Sequence, residues 1–270
     1  MNSVLPLTGL EVVVTRPAKQ AGGLCRRLRE AGAGVLRFPA LEIVPPAQAE
    51  VEQSLLHAGW AQSDMAVFVS ANAVRGARQL LGRRQLPAGG PRIACVGPAT
   101  ARALQRAGRA PDLVPPDRYD TEGLLALPEL QGNMQGMRVL VIRGDGGREL
   151  LSRTLRERGA SVTRVSVYRR QRLQPAQQRI ARVWEAERAP DVVTATSPQI
   201  LENLLAMLPT GVAHERLLAS QLVVVSERMI DTVREAGFSQ PPLVAENAGD
   251  AAVVACLTAW HAGEQGNGDE

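Results

Sequence analysis

Lysine is almost missing from this chain. Lys19 is the only one, so arginine supplies 30 of the 31 basic residues. Chemistry that needs a lysine, such as a Schiff base or a phosphate-binding P-loop, has only Lys19 to draw on. That residue stands in no G-x-x-x-x-G-K-[ST] context, which excludes a P-loop. Aromatic residues make up 3% of the chain, so its cores must be built from Leu, Val, Ala and Ile. The three cysteines, Cys25, Cys95 and Cys256, are far apart and odd in number, which argues against a disulfide framework. His57, His214 and His261 are equally scattered. No Cys/His cluster has metal-ligand spacing, and no metal is expected. No run of about 18 apolar residues occurs, so no membrane span is expected. The residues from Met1 to Gly9 lack the basic start and apolar run of a secretory signal, which points to a cytoplasmic protein.

What is present is ordinary in proportion and regular in pattern. The 270 residues are 45% hydrophobic and 21% charged, enough for two domains of roughly 100–150 residues. The net charge of +4 is mild and its arginines are spread out, so nucleic-acid binding is not indicated. The excess of arginine over lysine fits a coding bias, and it also fits recognition of carboxylates by two-pronged guanidinium groups.

Short Val-rich runs alternate with helical patterns. Strands are predicted at Val12–Thr15, Val35–Phe38, Leu41–Val44, Met65–Val69, Arg92–Val96, Arg138–Ile142, Val162–Tyr168, Asp191–Ala195, Leu222–Val225 and Leu243–Ala245. Helices are predicted at Lys19–Ala31, Asn72–Leu81, Ala99–Ala107, Thr121–Leu127, Arg148–Arg158, Pro175–Glu187, Gln199–Leu208, Arg228–Ala236 and Ala251–Trp260. This alternation predicts an α/β protein whose parallel sheets are covered by helices on both faces. The Gly-rich polar tail, residues 263–270, reads as disordered.

The chain also repeats itself. Val96, Ala107 and Thr121 match Val225, Ala236 and Asp250, each pair 129 positions apart. Asp64–Ser70 parallels Asp191–Ser197 at an offset of 127. Two similar α/β units are therefore expected.

In parallel sheets, ligands bind beyond the carboxyl ends of the strands, where helices begin. Thr15-Arg16-Pro17, Ser70-Ala-Asn72, Gly97-Pro-Ala-Thr100, Ser197-Pro198 and Ser226-Glu-Arg228 stand at such ends. Taken singly, each hydroxyl suits a helix cap. Taken together, five helix tips with free N–H groups could line an anion-binding cleft. Arg143-Gly-Asp-Gly-Gly-Arg-Glu149 follows a strand and opens a helix without the full dinucleotide-binding glycine spacing, which suits a backbone lying close to an anion. Tyr168 ends an extended segment just before the basic run Arg169-Arg-Gln-Arg172. It reads either as an interface aromatic or as a phenol that assists a departing hydroxyl.

These parts together resemble one family. Val12-Val-Val-Thr-Arg-Pro17, Phe38-Pro-Ala-Leu-Glu-Ile43, Phe68-Val-Ser-Ala-Asn-Ala-Val74, Tyr119-Asp-Thr-Glu-Gly-Leu124, Val141-Ile-Arg-Gly-Asp-Gly-Gly-Arg-Glu149, Val167-Tyr168, Thr196-Ser197 and Val224-Val-Ser-Glu-Arg228 look like the successive motifs of uroporphyrinogen-III synthases, in family order. The resemblance covers about Leu10 to Leu257. It implies two similar parallel-sheet, three-layer domains joined by a two-stranded linker that the chain crosses twice. One domain would be residues 1–37 plus 174–262, the other 48–162, with linker strands at 38–47 and 163–173. It implies the cyclising dehydration of hydroxymethylbilane, four pyrroles bearing eight carboxylates, by way of an azafulvene and a spiro intermediate that inverts the last ring. No cofactor is implied. Tyr168 corresponds to the family's linker tyrosine and would assist loss of the hydroxyl. Thr15, Arg16, Ser70, Asn72, Gly97, Thr100, Arg143, Gly144, Arg148, Ser197 and Arg228 would bind substrate. Where some relatives carry a Gly-x-x-Thr turn this chain has Ser226-Glu227-Arg228-Met229, and Arg228 would substitute for the threonine. A monomer that opens and closes is implied, with room for transient contact with the preceding pathway enzyme and no nucleic-acid or membrane partner. The alternative is a two-lobed module that binds or senses a small anion without chemistry, and a second is a nucleotide-dependent enzyme using the Arg143–Glu149 loop.

Overall fold

The computed structural model describes residues 5–266. The chain divides into two compact units, one taking it up to Glu42 and again from Gln171 onward, the other the continuous stretch Ile43–Arg170. Strand β1 (Glu11–Val14), helix α1 (Gly22–Glu30) and β2 (Gly34–Arg37) open the first unit. Strand β3 (Leu41–Val44) leads into the second, followed by α2 (Ala49–Gln62), β4 (Met65–Phe68), α3 (Ala71–Leu80), β5 (Arg92–Cys95), α4 (Pro98–Arg106), α5 (Thr121–Leu125), β6 (Arg138–Gly144), α6 (Leu150–Glu157) and β7 (Ser161–Arg172). The chain returns through α7 (Gln177–Trp184), β8 (Val192–Thr194), α8 (Pro198–Met207), α9 (Val212–Ala219), β9 (Gln221–Val224), α10 (Ile230–Glu235), β10 (Leu243–Val244) and α11 (Asp250–Gly266).

Each unit is built on one five-stranded sheet. The first runs β10-β9-β8-β1-β2, with every pairing parallel. The second runs β3-β7-β6-β4-β5, parallel from β7 across to β5. Parallel strands need crossover helices, which cover both faces, and that is why these strands read as unbroken apolar runs. In β4, Met65 and Val67 face one core with Val139, Val141 and Leu155, while Ala66 and Phe68 face another with Leu140, Ile142 and Trp60. That period-two split makes three layers. In the first unit, Val12, Val14, Val192 and Val223 pack with Leu24 and Leu28 of α1 and Leu257 of α11.

The internal repeat has a structural counterpart. Both ends of α3 and α8 differ by 127 residues (198 less 71, 207 less 80). Ser70 and Ser197, the caps of those helices, hold nearly the same extended backbone, with φ −166° and −167°. The segment from Pro98 to Arg106 likewise corresponds to the turn and helix from Glu227 to Glu235, 129 residues on (227 less 98, 235 less 106).

Three elements depart from the sequence reading. Helices α2 and α9 stand where no element was expected. In α2, Val51 and Leu55 are exposed and only Leu56, Gly59 and Trp60 are buried, so its apolar residues show no clear helical stripe. Gly59 is needed there, because a Cβ on it would lie 2.6 Å from Leu140 Cδ1 of β6. The tail expected to be disordered from residue 263 is corrected as far as Gly266, since α11 extends through it. One glycine at 263 weakens a helix by only about 1 kcal/mol and does not end it. Residues 267–270 lie outside the described residues. Among the described residues, no helix is long and apolar enough to cross a membrane.

Candidate active site

The site in the second unit begins with a slip in register. β6 and β7 pair evenly until Arg143 opposes Ser166, and then Gly144 opposes Tyr168. The extra residue on β7 bulges the strand and re-aims the side chains beyond it. Its consequence is that the Tyr168 ring lies directly over Gly144. A Cβ at Gly144 would stand 2.4 Å from Cζ and 2.6 Å from Cε2 of the ring. Glycine is required here for space, not for an unusual φ. The Asp145 N–H donates to the Tyr168 carbonyl at 2.7 Å and fixes the strand end. The phenol, on a residue only 5% exposed, reaches Ser70 Oγ at 3.2 Å. Ser70 caps α3 by accepting from Ala73 N–H at 3.1 Å, and α3 approaches β7 closely because Gly76 has no side chain to meet the Val167 carbonyl.

Beyond β6 the chain curls around its own arginine. Arg143 is buried. Its guanidinium donates to the Gly144 carbonyl at 3.2 Å, to the Gly146 carbonyl, and to Glu149 Oε1 at 3.0 Å. Gly146 and Gly147, at φ +70° and +89°, supply the left-handed turn that this curl demands. Glu149 also pairs with Arg164. Burial pushes the Glu149 carboxyl up, but Arg143 and Arg164 outweigh it and hold the group below its ordinary value of 4.5. A carboxyl lowered in the fold stabilises that fold above its ordinary pKa and loses the contribution as pH falls through the lowered value. Glu149→Gln is therefore expected to be slightly less stable than the parent at pH 7, with the gap in melting temperature closing as pH falls below about 4.5. The gap is small because Glu149 is 52% exposed and water screens the pair. A gap that stays constant with pH down to acid unfolding would contradict this.

These pieces enclose a cavity of about 220 Å³. Five of the residues expected to bind substrate or act on it line it: Ser70, Arg143, Gly144, Arg148 and Tyr168. Arg148 is mostly exposed and pairs with Glu122 of α5. Sequence reasoning missed Thr121 and Ser152 of the same lining and did not single out Arg170 from its basic run. Nearby, the Arg75 guanidinium has its pKa lowered by burial and by the charge of Arg106.

The other expected residues lie elsewhere. Asn72 accepts from Arg75 in the first turn of α3. Gly97 caps α4, and a Cβ there would meet Tyr119 at 2.8 Å. Thr100 is buried in the first turn of α4. In the first unit Ser197 caps α8, accepting from Ile200 N–H at 3.3 Å, and Arg228 is exposed in the turn before α10. Two more have their side chains engaged inside the first unit. Thr15 is 0% exposed and gives its hydroxyl proton to the Thr194 carbonyl, so its side chain joins β1 to β8. Arg16 is pinned to Asp250 and, at 2.6 Å, to the Ala248 carbonyl, where it secures the start of α11. Arg143 is engaged in a similar way, since its guanidinium holds the loop together. Among the thiols, burial pushes Cys95 and Cys256 upward in pKa, which suits packing more than nucleophilic chemistry.

Two parallel α/β units with a phenol–hydroxyl pair over a glycine-rich turn define a two-domain α/β protein that carries its site at the strand ends. The family model described as uroporphyrinogen-III synthase HemD matches residues 23–255. Uroporphyrinogen-III synthase of Escherichia coli K12 is 36% identical over 92% of this chain and 100% of its own length, and that of Salmonella typhimurium is 35% identical over 92% and 100%. The solved uroporphyrinogen-III synthetase of Helicobacter pylori superposes with a TM-score of 0.58 at 15% identity, covering 93% of this chain and 99% of its own. A mutant uroporphyrinogen III synthase from Thermus thermophilus gives 0.57 at 22% identity, over 91% and 96%; both likenesses bear on fold alone. The chain belongs to the uroporphyrinogen-III synthase family and is an enzyme.

Proposed function

We propose that this enzyme takes hydroxymethylbilane, expels its terminal hydroxyl as water, and closes the resulting azafulvene to uroporphyrinogen III with the last pyrrole inverted. The observation that carries the reading is the Tyr168–Ser70 pair, 3.2 Å apart on the wall of a cavity lined by guanidinium groups and glycine amides. A phenol held by a hydroxyl can give a proton to a departing hydroxide, turning it into water. The inverted ring is not the product of unguided closure, so the enzyme's main task is to hold one folded shape of the bilane. Arg148 and Arg170, near the phenol, suit the carboxylates of such a chain. The protein would work as a cytoplasmic monomer.

The test is incubation with freshly generated hydroxymethylbilane and separation of the product isomers. The inverted isomer is expected, and the uninverted isomer alone would overturn the reading. Tyr168→Phe is expected to lower kcat about tenfold while keeping the product inverted, because a positioned acid contributes but orientation carries much of the rate. A Tyr168→Phe enzyme with unchanged kcat would remove the phenol from the mechanism.

A further inference from the structure

Ser152 differs from the other side chains around the cavity. It lies in the first turn of α6 and is 1% exposed, and its hydroxyl oxygen is buried without a hydrogen-bond partner. A serine in a helix commonly relieves this by donating to the carbonyl four residues back, and Ser152 does not. Buried polar groups without partners are rare in folded proteins, and each one calls for a reason. The same residue lines the cavity beside Gly146 and Gly147, and neither glycine N–H donates a hydrogen bond within the described chain. Among the described residues Asp145 is the one carboxylate on the lining, which also carries Arg143, Arg148 and Arg170, and it is exposed.

We propose that Ser152 is a substrate-binding residue. Its hydroxyl, with the Gly146 and Gly147 amides, receives one carboxylate arm of the bilane inside this cavity. The inference rests on the functional reading above and adds to it the donor group and the place. Two amides on the loop after β6 and one hydroxyl in the first turn of α6 are neutral donors that suit an anion, because N–H groups without a partner favour negative charge. Arg143 is not counted with them, because its guanidinium is occupied by the loop. The contact would form equally in the ground state and the transition state, since the arm is remote from the bond that breaks. Its loss should therefore appear in KM and not in kcat.

The decisive variant is Ser152→Ala. Alanine is the best helix former, and the oxygen it removes has no partner in the fold, so the melting temperature should stay level or rise. KM for hydroxymethylbilane should rise roughly tenfold with kcat nearly unchanged and the product still inverted. Binding of uroporphyrin III, followed by its fluorescence without turnover, should weaken by a similar factor. Ser152→Thr keeps the hydroxyl and should hold KM within about threefold of the parent. Ser152→Ala with parental KM and parental porphyrin affinity would overturn the proposal and leave the hydroxyl a partner of buried water only. A marked loss of stability in Ser152→Ala would overturn it too, because the oxygen would then serve the fold. The parent enzyme run in parallel separates the two levels: if it makes only the uninverted isomer, the functional reading fails, whatever Ser152 does.

Discussion

Gly144→Ala is expected to cut kcat about tenfold, as far as loss of the Tyr168 hydroxyl itself, while the protein stays folded. The added methyl would stand 2.4–2.9 Å from three carbons of the Tyr168 ring, well inside contact distance. Neither partner can easily give way. Gly144 is held in the ladder opposite Tyr168, and the Asp145 N–H bond to the Tyr168 carbonyl holds the strand end. The ring is packed into the core beside Val165, Val167 and Phe68. Relief must come from turning the ring, which breaks the 3.2 Å contact with Ser70 and moves the phenol away from the cavity. Overpacking of this kind costs about 1–3 kcal/mol, a fall of roughly 2–10 °C in melting temperature for a protein this size. A displacement of about 1 Å is enough to put a catalytic group out of action, so turning the phenol away should cost as much as removing its hydroxyl. The measurement is kcat alongside thermal unfolding, with Gly22→Ala as a control, since nothing lies within 4 Å of a Cβ at Gly22. Parental kcat in Gly144→Ala would show that the ring's placement over Gly144 is not used.

Arg143→Ala should destabilise the second unit by about 2 kcal/mol and lower activity more than tenfold. The truncation strips hydrogen bonds from the Gly144 and Gly146 carbonyls and one of two cationic partners from Glu149. The loop between β6 and α6 then has only its glycines, which favour many conformations. Arg143→Lys keeps the charge but replaces a planar fork with a single ammonium, so it should recover stability only partly. Denaturant midpoints give the stability, and amide exchange over residues 144–149 reports the loop directly. Unaltered exchange in Arg143→Ala would mean that the loop holds itself, and that Arg143 is free to bind substrate after all.

Much of this arrangement was legible along the chain because it rests on local rules. Val-rich strands that alternate with helices announce parallel sheets, and the caps Ser70 and Ser197 were visible beside the first turns they serve. Gly146 and Gly147 mark a left-handed turn on their own. Helix α2 was not legible, because its buried face is narrow and its Gly59 reads as a breaker until Leu140 of β6 is seen to occupy the space a Cβ would need. The role of each arginine was hidden for a related reason. Arg16 and Arg143 look the same as Arg148 and Arg170 in sequence, yet the first two are buried and held by their partners, whereas Arg148 is exposed even though it pairs with Glu122.

The sequence by itself determined the architecture, the duplicated pattern of its units, the strand-end location of the candidate residues and the family, since periodicity, capping and glycine placement act over a few residues. Only the tertiary structure decided which side chains are available to a ligand. Whether Thr15 bonds to Thr194 and whether a bulge lays Tyr168 on Gly144 depend on neighbours 179 and 24 residues away (194 less 15, 168 less 144), and whether the Ser152 hydroxyl is left without a partner depends on how the chain packs around it. Hydrogen bonding and steric exclusion act through space, and no local pattern in the chain records which neighbours will meet.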